Sequence, residues 1–154
     1  MFAKEHAVHI QSTRFGQIEL DPSDILLMPH GLSGFETCRH WVLLSNPQNE
    51  DVAWLQSVGS PGVAIPVVSP RRFDTDYRVQ IPRRELSLLQ LRSDDQIFVL
   101  AVVSKNGHAL TMNLKSPILM NATRQVAVQV VCSDDRPLSV PIGLSSQAKM
   151  HRAA

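Results

Sequence analysis

The segment Gly31-Leu32-Ser33-Gly34 sets a serine between glycines, the residue types of a nucleophile elbow, in which a strained strand-to-helix turn presents a hydroxyl to substrate. The elbow needs G-x-S-x-G, and this segment is one residue short with no helical pattern after it. It reads as a glycine-rich turn; a small hydrolase built on Ser33 would also need a placed histidine and carboxylate. His6 and His9 are three apart, and Cys38-Arg39-His40 offers two more ligand types. Structural zinc takes four ligands, usually in paired short spacings, and neither group has a matching second pair. Cys38 and Cys132 form no CxxC motif, so both read as ordinary thiols, with Cys132 in the core. The acidic pairs Glu50-Asp51, Asp94-Asp95 and Asp134-Asp135 lie at connections, where charge keeps a loop in water. No P-loop or dinucleotide fingerprint is present. No metal, no cofactor and no enzymatic activity are expected.

Charge narrows the partners. With 15 Lys+Arg against 14 Asp+Glu the formal charge is +1, too small to draw the chain onto nucleic acid or an anionic membrane. Arg71-Arg72 and Arg83-Arg84 are the adjacent basic pairs, and the aromatics are five Phe, two Trp and one Tyr. Sheet-based single-strand binders stack bases on exposed aromatics among basic side chains, a combination not visible here. An RNA-binding small β-barrel is therefore the alternative reading and not the preferred one. No signal-peptide run opens the chain, and no apolar stretch reaches the roughly eighteen residues a membrane helix needs. The expectation is a cytoplasmic protein that touches no membrane and binds no nucleic acid directly.

The elements that hold these residues are mostly strands. Ile18 and Leu20 share one face of Gln17–Leu20, and Tyr77, Val79 and Ile81 alternate in the same way. In Gln125–Cys132 the residues Val126, Val128, Val130 and Cys132 point inward. Runs 41–44, 52–58, 63–68 and 97–104 are apolar enough for central strands. Asn106-Gly107 suits a type I′ hairpin turn before Leu110. One short helix is expected over 82–91, opened by Pro82 and continued by good helix formers. About ten short strands with one helix predict an all-β fold, a small antiparallel β-barrel, closed so that no edge is left to aggregate. Residues 1–135 make that domain, and residues 136–154 are expected to form a polar, mobile tail.

Four segments, in order, carry a family resemblance: Gly31-Leu32-Ser33-Gly34-Phe35-Glu36; Trp54-Leu55-Gln56-Ser57, followed by Pro70 and Asp76-Tyr77; Asn113-Leu114-Lys115-Ser116-Pro117-Ile118-Leu119-Met120-Asn121; and Arg124-Gln125 leading to Gln129-Val130-Val131. Together they resemble the FliW family of flagellar assembly factors. Ser33 stands where the family pattern has proline, Met28 near a usual phenylalanine, and the tail lacks a usual tyrosine.

Physical reasons attach to these positions independently. Gly31 and Gly34 suit a reversal with positive φ, and Phe35 can anchor it. Pro117 cannot donate to a sheet ladder, so 113–121 should be an edge, a bulge or an irregular crossing, where Asn113 and Asn121 either bond the freed backbone or meet a partner.

The resemblance implies a non-catalytic binding protein. It implies flagellin as one partner and the translational regulator CsrA as the other, whose repression of flagellin synthesis is relieved on binding. It also implies a monomer when free, with Gly31, Gly34, Phe35, Glu36, Trp54, Gln56, Asn113, Pro117, Asn121 and Gln129 as candidate contact or motif positions.

Overall fold

The computed structural model describes residues 7–143. Its strands are β1 (Val8–Ser12), β2 (Gly16–Leu20), β3 (Ile25–Leu27), β4 (His40–Ser45), β5 (Val52–Ser57), β6 (Ala64–Val68), β7 (Ile97–Asn106), β8 (Ala109–Met112), β9 (Ile118–Asn121), β10 (Val126–Gln129) and β11 (Val140–Ile142). Strands β3, β4, β5, β6, β7, β9 and β10 close into a seven-membered ring, because β7 pairs with both β6 and β9. The all-β barrel is therefore observed. One seam is parallel: β10 meets β3 at Val126↔Leu27.

β7 bends out of the ring. Ile97–Leu100 pair with β9, Ala101 and Val102 with β6, and Val103–Asn106 with β8, which in turn pairs with β11. The barrel interior is apolar, built on Trp41, Leu55, Val67, Leu100, Ile118 and Ala127. Three coverings bury the outer wall. Hairpin β1–β2 lays Ile10 and Leu20 on Val42, the β8–β11 flap closes over Val52, Val68 and Tyr77, and a 3-10 helix covers Val126 and Val128 with Leu89.

That helix is the one expected near 82–91. It runs Arg83–Leu89 with Pro82 as its N-cap, and Gln90 ends it in the left-handed region at φ 52. A three-residue turn aligns i with i+3, which suits Leu86 and Leu89 on one buried face. Two shorter 3-10 turns occur at Pro22–Asp24 and Pro70–Arg72.

Other expectations need correction. Tyr77–Ile81 keeps its alternation, with Tyr77 fully buried, but forms no strand. Its backbone bonds irregularly instead, Ser133 N–H donating to the Gln80 carbonyl at 2.8 Å. The run 125–132 is regular only over Val126–Gln129; Gln125 sits at φ 54. Val130 and Cys132 N–H then bond the Pro117 and Lys115 carbonyls, which keeps both side chains in the core. The hairpin pairs Asn106 with Ala109, so the loop is Gly107-His108. Positive φ occurs only at Gly107 (65°), the pattern of type II′. The segment after Asp135, expected as tail, supplies β11; residues 144–154 lie outside the described residues. Among the described residues no helix is long and apolar enough to cross a membrane.

Candidate functional site

Within the β3–β4 connection the backbone makes a tight reversal. Gly31 N–H donates to the Met28 carbonyl at 2.9 Å, and Phe35 N–H to the Leu32 carbonyl at 2.7 Å. Gly31 has φ 63, and a Cβ there would stand 2.4 Å from the Phe35 carbonyl oxygen, so only glycine fits. Gly34 has φ 89 at the third position of Leu32–Phe35, as a type II turn requires. The second position of that turn favours proline, and Ser33 occupies it here. The Glu36 carboxylate accepts from Gly34 N–H at 2.8 Å, holding the tip. Leu32 is buried, and Phe35 packs half-buried on the interior cluster.

Gln129, at the end of β10, joins this turn to the crossing between β8 and β9. Its Oε1 accepts from Ser33 N–H at 2.8 Å, and its Nε2 donates to the Ser116 carbonyl at 3.1 Å. Asn113 Oδ1 accepts from the N–H groups of Lys115 and Ser116, both at 3.0 Å, which fixes the same crossing. A groove of about 360 Å³ opens between these pieces and the bending β7. Leu32, Ser33, Phe35, Asn113 and Gln129 line one side, and Ile65, Pro66, Val102, Val103 and Ser104 the other.

Sequence-derived positions thus divide. Phe35, Asn113 and Gln129 reach the groove, with Gly34 and Glu36 exposed at its rim. Gly31, Gln56, Pro117 and Asn121 are buried and hold the scaffold. Gln56 accepts from Ser12 Oγ at 2.7 Å and donates to the Ser57 and Pro61 carbonyls, pinning the β1–β2 hairpin. Asn121 donates to the Leu89 carbonyl and to Asp95 at 2.8 and 2.9 Å, and accepts from Arg124 N–H. The Asp95 carboxyl lies below the usual carboxylate range, chiefly through that Asn121 bond, then the Arg92 N–H and Arg124, against the opposing effect of burial.

Trp54 stands on the outer wall of β5. Arg14 stacks over it at 4.2 Å, and Phe15 meets it edge-on at 5.8 Å. The aromatic-and-basic combination not visible in sequence is therefore assembled by folding, but Arg14 covers the ring face a base would need.

Other chemistry-bearing residues stay separate. No bond joins Ser33 Oγ to a histidine or carboxylate among the described residues. His9 lies 3.9 Å from Glu19, Cys38 Sγ contacts Ser60 Oγ at 3.7 Å, and His6 is outside the described residues. Among the described residues no group of three or more His, Cys, Asp or Glu comes together. Sequence reasoning did not single out Ile65, Pro66 or Val102–Ser104 as groove residues. Pro66 inside a strand-like run was the available signal.

Comparison with known proteins gives a consistent result. Residues 9–142 match the family described as FliW protein. The chain is 35% identical over 128 residues to the flagellar assembly factor FliW of Bdellovibrio bacteriovorus, covering 82% of this chain and 73% of that protein. It is 38% identical over 120 residues to the flagellar assembly factor FliW of Syntrophotalea carbinolica, covering 77% and 86%. A crystal structure of a flagellar assembly factor FliW superposes with a TM-score of 0.77 at 22% identity, covering 89% of this chain and 96% of that one, a likeness of fold.

Proposed function

The chain belongs to the FliW family, and from that premise we propose that it is a flagellar assembly factor that acts by binding, holding flagellin and the regulator CsrA in alternation. The observation that carries this reading is the match along residues 9–142. The groove adds support, since motif positions 90 residues and more apart, Phe35 and Gln129, converge on one accessible surface. A rigid barrel suits such work, because its closed core leaves loops and outer strands free as contact surface.

In this proposal the free protein is a cytoplasmic monomer. Accumulated flagellin occupies it and leaves CsrA free to repress flagellin translation. Export of flagellin releases the protein, which then captures CsrA, and synthesis resumes. Coupling between two ligands is reciprocal, so each weakens the other by the same factor, and tenfold weakening corresponds to about 1.4 kcal/mol. The test is a titration of the protein with CsrA, with and without saturating flagellin from the same organism. The expected result is CsrA affinity at least tenfold lower when flagellin is present. Equal affinity in both conditions would remove the switch, and no CsrA binding would leave only the flagellin half.

A further inference from the structure

Arg14 is exposed in the turn between β1 and β2, and among the described residues no carboxylate, carbonyl or hydroxyl accepts from its guanidinium. What holds the side chain is the Trp54 ring, 4.2 Å below it. The turn itself is pinned to the barrel. Ser12 Oγ accepts from Arg14 N–H at 3.2 Å and from Phe15 N–H at 3.0 Å, and it donates to Gln56 Oε1 at 2.7 Å. Thr13 N–H donates to the Pro61 carbonyl at 2.9 Å, and Phe15 meets the Trp54 ring edge-on. Two positions of the segment Trp54-Leu55-Gln56-Ser57 therefore act on one exposed cation: Gln56 fixes the turn from below, and Trp54 carries the guanidinium.

Stacking takes one face of the planar guanidinium and leaves its in-plane N–H groups without acceptors, in the fork that matches the two oxygens of a carboxylate. Because the turn and the ring already order the side chain, little rotamer freedom is left to lose on docking. The surroundings are apolar: Phe15 is exposed, and half-buried Leu44 and Pro66 stand directly opposite Trp54 on the two neighbouring strands. Arginine and tryptophan side by side within apolar surface are the residue types that anchor protein interfaces. A nucleic-acid backbone would need several cations in a row. From β1 to the end of β6 the sequence holds two Lys or Arg residues, Arg14 and Arg39, so a single acidic side chain is the better match.

We propose that Arg14, laid on Trp54, anchors one carboxylate of flagellin, an aspartate or glutamate side chain whose apolar neighbours pack on Phe15 and Pro66. The inference rests on the reading of the chain as a flagellin-binding protein and adds the chemistry of one contact. Charge selects between the two partners of that reading. A repressor of translation must turn cations toward messenger RNA, and like charges across an interface repel, so the carboxylate belongs to flagellin and not to the regulator.

The probe is flagellin from the same organism, titrated calorimetrically with the full chain. Arg14→Glu should weaken binding about tenfold or more and leave the melting temperature nearly unchanged, as for an exposed side chain. Arg83→Glu makes the same change of charge on the helix that covers β10 and should bind as the wild type does. Arg14→Lys keeps the charge and gives up the fork, so its affinity should fall between those of wild type and Arg14→Glu. In a panel of flagellin Asp→Lys and Glu→Lys variants, one should bind Arg14→Glu more tightly than wild-type flagellin does. If Arg14→Glu lowers the melting temperature, Arg14→Lys and this charge-reversal rescue decide. Equal flagellin affinity for Arg14→Glu and Arg83→Glu overturns the anchor and leaves the proposed function standing. So does an Arg14→Glu chain that keeps flagellin and loses affinity for single-stranded RNA, which would make the site a phosphate contact. A wild-type chain that binds no flagellin overturns that half of the proposed function and the anchor with it.

Discussion

Asn121→Ala separates a scaffold role from a contact role at one family-motif position. Asn121 is fully buried, and its amide donates to the carbonyl of Leu89, itself buried, and to Asp95. Truncation leaves that carbonyl without its donor and Arg124 N–H without its acceptor. A buried polar group deprived of its partner costs about 1–3 kcal/mol, and broken buried networks lie at the upper end of single-substitution effects, so a loss of about 2–4 kcal/mol is expected. The loss should depend on pH. Asp95 titrates below its ordinary value in the folded protein, mainly through Asn121. A depressed carboxyl contributes stability above its unfolded pKa of about 4 and loses it as pH falls through the folded value. The difference between wild type and variant should therefore be largest near neutrality and shrink in acid below about pH 4. Urea unfolding at pH 7 and across an acid series measures both quantities. A loss under about 1 kcal/mol at pH 7, or a difference that grows in acid, would refute the reasoning. Weaker partner binding by a variant of unchanged stability would give Asn121 the contact role instead.

Gly31→Ala should cost more than Gly34→Val, itself about 1–3 kcal/mol, because the new Cβ meets backbone at position 31 and open space at position 34; equal melting temperatures would contradict this. Tyr77, the only tyrosine, has its phenol pushed well above the ordinary range, first by burial and then by its contact with Cys132. A raised acid stays neutral when folded, so its stability holds below about pH 10 and fades above it. Its absorbance change should coincide with alkaline unfolding, and ionisation in the folded state would count against the burial. Gln129→Leu should unlink the 31–36 turn from the 113–117 crossing and weaken the groove's partner about tenfold, at a cost near 1–2 kcal/mol in urea unfolding; full affinity would place the contact surface elsewhere.

Local pattern determined what depends on near neighbours in the chain. Alternation at Ile18 and Leu20, and at Val126, Val128, Val130 and Cys132, marked buried faces because side-chain direction in extended backbone repeats every second residue. Gly107 marked the hairpin, and Pro82 with Leu86 and Leu89 marked the one helix of more than a single turn among the described residues. Gly31 and Gly34 marked the turn, since positive φ is a property of single residues.

Tertiary structure decided everything that depends on which distant segment arrives alongside. Tyr77–Ile81 has a strand's alternation but no strand beside it, so its backbone groups bond irregularly, as Gln80 does to Ser133, and no ladder forms. Ring closure through β7–β9 and the parallel seam at Val126↔Leu27 are long-range pairings with no local signature. Gln56 and Asn121 could have faced a partner or the core; folding buried both and spent their amides on the scaffold. Gln129 and Pro66, visible in sequence as one polar and one ring-locked residue in strand-like runs, acquire their roles only where the chain brings them to the same groove. A hydrogen bond from Ser33 to Gln129 exists only once strands distant in sequence fall into register.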